Sequence, residues 1–337
     1  MGSYPTDRKF LQIILKIIFT IRLIAGTLIT LSSTNWISAW IGLELNLISF
    51  IPLIIDNSNQ RRREAGLKYF LVQTLGSVFI LLSSILIVIF NYNNVGIITV
   101  YAPIMLALAL KIGAAPLHFW FPATIQGITW SNCFLLMTWQ KLAPLSLFLR
   151  LNTTLIIFMA LASSITGAIG GFNQPYIRKL LAYSSINHLG WLLTSTLINE
   201  KMILIYFRIY RTLNLAVIFI LNYFNVSHLS QIQGHDNSNN TNILLTTNLL
   251  SLGGIPPFLG FIPKWIIITQ IIGKTPVLVT ILTLSSLITL YFYLRIGYLT
   301  IIKSANSSPM QDIKPNKSII ILTIISALPI IIITPLI

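Results

Sequence analysis

The chain has 337 residues, 55% of them hydrophobic and 9% charged, with a mean hydropathy of +0.82. Soluble domains carry roughly 25% charged residues, so this composition excludes a soluble globular protein and describes an integral membrane one. The net charge of +15 would point to nucleic acid in a soluble protein. Here the cations are scattered over helix ends and membrane interiors with no basic-aromatic face, which excludes that partner.

Apolar stretches recur along the whole chain at the length that carries a helix across roughly 30 Å of hydrocarbon. Strands would leave backbone groups unpaired in lipid, and the short alternating segments of a barrel are absent. The pattern predicts an all-α polytopic membrane protein, one transmembrane domain over residues 1–337, with about eleven helices. The first span, 10–31, follows a start without a cleavable signal pattern. The second, 35–55, carries Glu44 near its middle. The other six acids, Asp7, Asp56, Glu64, Glu200, Asp236 and Asp312, fall in or beside polar connections. A carboxylate at membrane depth is costly and faces a protein interior or a wet pathway.

Span 66–90 is followed by 95–113, which carries Lys111 and ends at Gly113-Ala114-Ala115-Pro116. Span 124–149 carries Lys141, followed by Pro144, and Cys133, a lone cysteine that packs in an apolar helix. Span 153–172 holds Gly167 and Gly171, a spacing that permits close helix contact. Span 177–198 contains the polar patch Ser184-Ser185-Ile186-Asn187-His188. After 202–224 a polar loop runs over 228–242. Span 242–262 includes Gly253-Gly254-Ile255-Pro256, with Lys264 just beyond, and 276–302 and 318–337 complete the set.

Two segments resemble each other. Gly113 to Pro116 is followed by Phe121 and Pro122, and Gly253 to Pro256 by Phe261 and Pro263. Proline removes a backbone donor and glycine lowers helix stability, so each site predicts a broken helix. An odd number of spans separates them, so the breaks lie on helices of opposite direction. Inverted repeats with discontinuous helices, as in transporters, have this arrangement.

Lys and Arg in short loops set the orientation. The N-terminal side carries Arg8, Lys9, Arg61, Arg62, Arg63, Arg178, Lys179, Lys303, Lys314 and Lys317, against Arg150, Lys201 and Lys274 on the other side. The N-terminus is therefore expected on the side of synthesis.

Glu44, Lys111, Lys141 and Lys264 place four ionisable groups within or beside four apolar spans. Snorkelling toward an interface would account for Lys264 alone but not for Lys141, which has apolar residues on both sides. Burial disfavours a lysine's charged form and a nearby carboxylate favours it, so a Glu–Lys pair that forms and separates can load and release a proton. His118, His188, Ser184, Ser185 and Thr138 are candidate relays, the histidines because they titrate near neutral pH. His118 also reads as an interfacial residue after a helix break, and His188 as a structural hydrogen-bonding group. The sequence contains no Walker loop, dinucleotide fingerprint, cysteine cluster or His-Glu zinc motif, so no cofactor or metal is expected.

At these same residues a family resemblance is carried. Trp40-Ile41-Gly42-Leu43-Glu44-Leu45-Asn46, Lys68-Tyr69-Phe70, the run from Lys111 to Trp120, Thr138-Trp139-Gln140-Lys141-Leu142-Ala143-Pro144, Arg178-Lys179-Leu180, the run from Ser184 to Trp191, and Gly253-Gly254-Ile255-Pro256-Pro257 with Pro263-Lys264-Trp265 occur in this order. Together they resemble the NADH-ubiquinone oxidoreductase chain 2 family, the mitochondrially encoded antiporter-like membrane subunits of respiratory complex I, with an insect or related invertebrate character. The resemblance implies a proton-translocating subunit of the mitochondrial inner membrane with its N-terminus in the matrix. It implies other membrane-arm subunits and the bilayer as partners, and no NADH or quinone site on this chain. It further implies that Glu44 and Lys111 form a charge pair, that Lys141 is the central relay and that Lys264 leads to an exit half-channel. A subunit of a multi-subunit cation/proton antiporter is the alternative.

The chain departs from that family at Arg22, Arg208 and Arg211, which fall inside predicted spans, and at Arg61-Arg62-Arg63. It is also Ile-rich with only 6 Met, where animal mitochondrial subunits of this type are Met-rich. One hypothesis accounts for both: translation with a code reading AGA as Arg and ATA as Ile, where the invertebrate mitochondrial code reads Ser and Met.

Overall fold

The structure, a computed structural model, describes residues 5–56, 59–90, 97–151, 154–234, 239–256 and 258–306. The span expected at 318–337 lies outside the described residues. The chain forms two compact units, Met1–Gly113 with Leu117–Leu155, and Ala114–Pro116 with Ile156–Ile337.

The first unit contains α1 (Pro5–Ser32), α2 (Trp36–Ile54), α3 (Gln60–Phe90), α4 (Ile97–Ile112), α5 (Trp120–Gly127), α6 (Trp130–Met137) and α7 (Trp139–Phe148). The second is built from α8 (Thr154–Gly171), α9 (Ile177–Thr196), α10 (Glu200–Phe224), α11 (Leu229–Gly234), α12 (Asn239–Gly253), α13 (Phe261–Ile271) and α14 (Pro276–Asn306). Among the described residues, six helices are long and apolar enough to cross a bilayer, lying within α1, α2, α3, α8, α10 and α14. The outward face of α3 shows the physical reason: Leu67, Leu71, Leu75, Val78, Leu82, Ile85 and Ile89 recur every three or four residues and are all exposed. This is a helix whose apolar stripe points away from its own core, as a membrane solvent requires.

Both sequence-predicted breaks are present. α4 ends at Ile112 and its continuation, α5, starts at Trp120; α12 ends at Gly253 and α13 starts at Phe261. Gly113 and Gly254 terminate the first half of each with positive φ, 78° and 79°. Each donates its N–H back to the fourth preceding carbonyl, Ala109 and Leu250. These are helix ends closed by a left-handed residue, where glycine carries no Cβ penalty.

The expectation of one span over 124–149 is corrected. Residues 120–127 form the second half of the first broken helix, and the rest divides into α6 and α7 at Thr138. The Thr138 hydroxyl donates to Phe134 O at 2.6 Å, and Lys141 N–H reaches Thr138 O at 3.1 Å in a tight turn. Hydroxyl back-bonding of this kind bends helices, and Pro144 removes the donor that would close on Gln140.

α9 is long enough to span a membrane yet too polar to be counted among the apolar spans, and 17 of its 20 residues are buried. It is the interior helix of its unit. α8 lies against it, because a Cβ on Gly167 would come within 2.5 Å of Asn187 N, so the glycine spacing serves close contact as expected.

Candidate functional site

In the first unit, α2 presents Glu44 and Asn46, α3 Tyr69 and Gln73, α4 Lys111, and α7 Gln140 and Lys141. Lys111 occupies the last turn of α4, where a cation complements the helix's negative end. It is 5% exposed. Gly76 on α3 makes room for its stem, since a Cβ there would lie 3.1 Å from Lys111 Cγ. Gln73 Nε2 donates to Lys111 O at 3.1 Å and ties α3 to the end of α4.

Glu44 is half-buried, and its Oε2 is buried and receives no hydrogen bond from the described residues. Its field reaches Lys111. The two make no direct ion pair within 4 Å; among the described residues that contact is made by Arg62 and Asp56, outside the apolar spans. The structure therefore brings Glu44 and Lys111 into electrostatic reach without joining them.

Lys141, in the first turn of α7, is 1% exposed, and its ammonium lies 5.2 Å from the centroid of the Phe121 ring. The neighbouring Gln140 donates from Nε2 to Asn46 Oδ1 at 2.9 Å and accepts a long bond from the Tyr69 hydroxyl at 3.5 Å. These groups border a cavity of about 10 Å³ lined by Leu43, Asn46, Leu47, Tyr69, Gln73, Lys111, Gln140 and Pro144. A void of that size holds about one water, and its lining supplies more than enough polar partners. His118 is buried in the first break, its ring 4.4 Å from that of Phe119.

In the second unit, Lys264 is buried in the first turn of α13 and donates from Nζ to Gly253 O, the end of α12, at 2.8 Å. The same ammonium is 5.8 Å from the Trp191 ring centroid. Trp191 lies one helical turn along α9 from His188. His188 Nδ1 shares a 2.9 Å hydrogen bond with the Tyr206 hydroxyl of α10, and its ring centroid is 5.0 Å from that of Tyr210. Tyr210 is hydrogen-bonded to Ser185, and Tyr293 of α14 is buried close by. Asn187 Nδ2 donates to Ser285 O at 3.2 Å, joining α9 to α14. The hydroxyls of Ser184, Ser185 and Thr138 donate to carbonyls of their own helices, so a relay through them requires rotation.

Each unit thus carries its own ionisable groups: half-buried Glu44 with buried Lys111 and Lys141 in one, buried His188 and Lys264 in the other. The sequence alone assigned no functional role to Asn46, Tyr69, Gln73, Gln140, Phe121, Trp191 or the tyrosines at 206, 210 and 293. Asn46 and Gln140 had a usable signal, an amide in an apolar run beside an ionisable residue. The tyrosines at 206 and 210 had another, a phenol pair four residues apart on one helix.

Comparison with known proteins gives this geometry a family. Residues 33–289 match the model of the NADH:quinone oxidoreductase/Mrp antiporter transmembrane family. The chain is 45% identical to NADH-ubiquinone oxidoreductase chain 2 of Anopheles gambiae over 83% of its length and 84% of the relative's. It is 41% identical to the Locusta migratoria protein of that name over 93% of both. The fold is that of a chain of respiratory complex I from Thermus thermophilus with bound aureothin, with a TM-score of 0.81, 20% identity, and coverage of 93% of this chain and 77% of that one. On its broken helices, its buried lysines and these alignments, the chain belongs to the NADH-ubiquinone oxidoreductase chain 2 family.

Proposed function

We propose that this chain is a proton-translocating subunit of the membrane arm of respiratory complex I, a multi-pass protein of the mitochondrial inner membrane. In that assembly NADH oxidation and ubiquinone reduction take place elsewhere, and this chain receives their energy through neighbouring membrane subunits. The observation that carries the reading is a buried lysine at each break, Lys111 at the end of α4 and Lys264 against the end of α12. Fixed positive charge at membrane depth is costly, and such groups mark ion and proton pathways.

Glu44 controls Lys111 in this scheme. An ionised Glu44 holds the ammonium through space, and neutralising or moving the carboxylate removes that hold and frees the proton. The water-sized cavity bordered by Lys111 and Gln140 supports a step toward Lys141, which takes the central role. In the second unit Lys264 leads to the exit half-channel, with His188 as a relay. The N-terminus faces the matrix, on the excess of Arg and Lys at that side.

The test is Lys141→Met and Glu44→Gln in the assembled complex, read as protons moved per NADH oxidised. Both variants should assemble and pump less. An undiminished ratio for Lys141→Met would leave the buried charges a packing role only. The family model also covers antiporters, and sodium-driven exchange without NADH in reconstituted membranes would support that alternative.

A further inference from the structure

We propose that Phe121 and Trp191 are positioning residues whose ring faces seat the protonated ammonium groups of Lys141 and Lys264. The proposal rests on the reading of these lysines as proton carriers. Its geometric basis occurs in each unit separately. Lys141 Nζ stands 5.2 Å above the Phe121 ring, and Lys264 Nζ stands 5.8 Å above the Trp191 ring. Both separations are inside the roughly 6 Å over which an aromatic quadrupole attracts a cation. All four side chains are buried, so the attraction is not diluted by water.

A ring suits a carrier better than a carboxylate does. It attracts the charged lysine but has no site for the proton, so it cannot compete for what the lysine must pass on. Its hold is also weak enough to release. Loss of such an interaction at a desolvated site corresponds to roughly tenfold in occupancy of the charged form. The seats are tied to the breaks. A Cβ on Gly113 would sit 3.1 Å from Phe121 Cβ, and one on Gly254 would sit 3.0 Å from Lys264 Nζ. The left-handed end of each broken helix therefore packs on one member of each cation–ring pair.

The experiment compares ring-removing and ring-keeping variants in the intact complex. Phe121→Leu and the volume-matched Phe121→Met should slow NADH-driven proton pumping about tenfold, whereas Phe121→Tyr should restore it to within about threefold of the parent. Trp191→Leu and Trp191→Phe should show the same order. Assembled ring-removing variants that pump like their ring-keeping partners would overturn the proposal. So would a failure of both Phe121→Leu and Phe121→Met to assemble, which would make the ring a packing residue. Lys141→Met is the control: if it pumps normally, the proton-carrier reading fails first, and the seats fall with it for that separate reason.

Discussion

Gly253 and Gly254 are adjacent in sequence, yet alanine should act oppositely at the two. Gly253 is the last residue of α12, and a Cβ there would meet Tyr293 and Leu290 at 3.5 and 3.6 Å, ordinary contact. Alanine at a helical position stabilises by roughly 0.5–1 kcal/mol relative to glycine, so Gly253→Ala should be neutral or mildly stabilising. Gly254 has φ +79°. A residue with a Cβ pays about 1–2 kcal/mol there. The added carbon would also lie 3.0 Å from both Cδ and Nζ of Lys264, which must move. A shift of a few tenths of an ångström lengthens the 2.8 Å bond from Lys264 to Gly253 O and removes part of a charged hydrogen bond of about 1.5–3 kcal/mol. The sum for Gly254→Ala is roughly 2–4 kcal/mol of destabilisation. Thermal inactivation half-lives of the extracted complex, measured beside proton pumping, would read this out. A difference of about 3 kcal/mol between the variants, if expressed in the unfolding barrier, separates their half-lives by roughly a hundredfold. Equal half-lives and equal pumping for the two alanines would refute the argument that Lys264 is held by the left-handed end of α12.

Gln140→Leu should destabilise the complex by roughly 1–3 kcal/mol, because Asn46 Oδ1 loses its 2.9 Å donor in a buried setting. The double replacement with Asn46→Leu should cost less than the sum of the singles, and strict additivity in thermal denaturation would argue against the pair. Tyr206→Phe removes the 2.9 Å bond to His188 Nδ1 and should lower the proton-to-electron ratio without loss of assembly; an unchanged ratio would take His188 out of the pathway. Peptide mass spectrometry over residues 206–214 should find serine where this sequence has Arg208 and Arg211, both exposed on the outer face of α10, and arginine at both positions would end the genetic-code explanation.

The two breaks were legible because their cause is local: glycine and proline act on the backbone within a turn. Even so, the repeat in sequence is not the repeat in structure. The left-handed glycine comes three residues before Pro116 but two before Pro256, so the register shifts by one at the residue that matters. The interruption at Thr138 escaped notice for a related reason. Threonine and a proline six residues later are unremarkable in an apolar run, and only the hydroxyl bond to Phe134 O turns them into a break. Glu44 and the lysines stood out because charge at membrane depth is conspicuous. Their aromatic and amide neighbours did not, since Phe and Trp in apolar spans look like any other bulk and their roles depend on which helix faces which.

α9 shows why polarity has to be read differently in this chain. In water, a helix bearing Ser184, Ser185, Asn187 and His188 along one side would turn that side to the surface. In a bilayer the outer surface is the apolar one, so the least apolar long helix is driven inward, where α10 and α14 supply Tyr206, Tyr210 and Ser285 as partners. Breaks and polar interiors then require each other. A helix that stops inside the membrane exposes carbonyls that lipid cannot satisfy, so it must stop beside a donor. Lys264 is that donor for the end of α12, and Gln73 Nε2 serves Lys111 O at the end of α4. The lysine proposed to carry protons in the second unit is therefore also the group that makes its broken helix tolerable. When Lys264 gives up its proton it can still donate one N–H to Gly253 O, but without the charge that strengthens the bond. On the proposed role, proton release at Lys264 would weaken the fastening of α12 and so link the protonation state of the lysine to the geometry of the break.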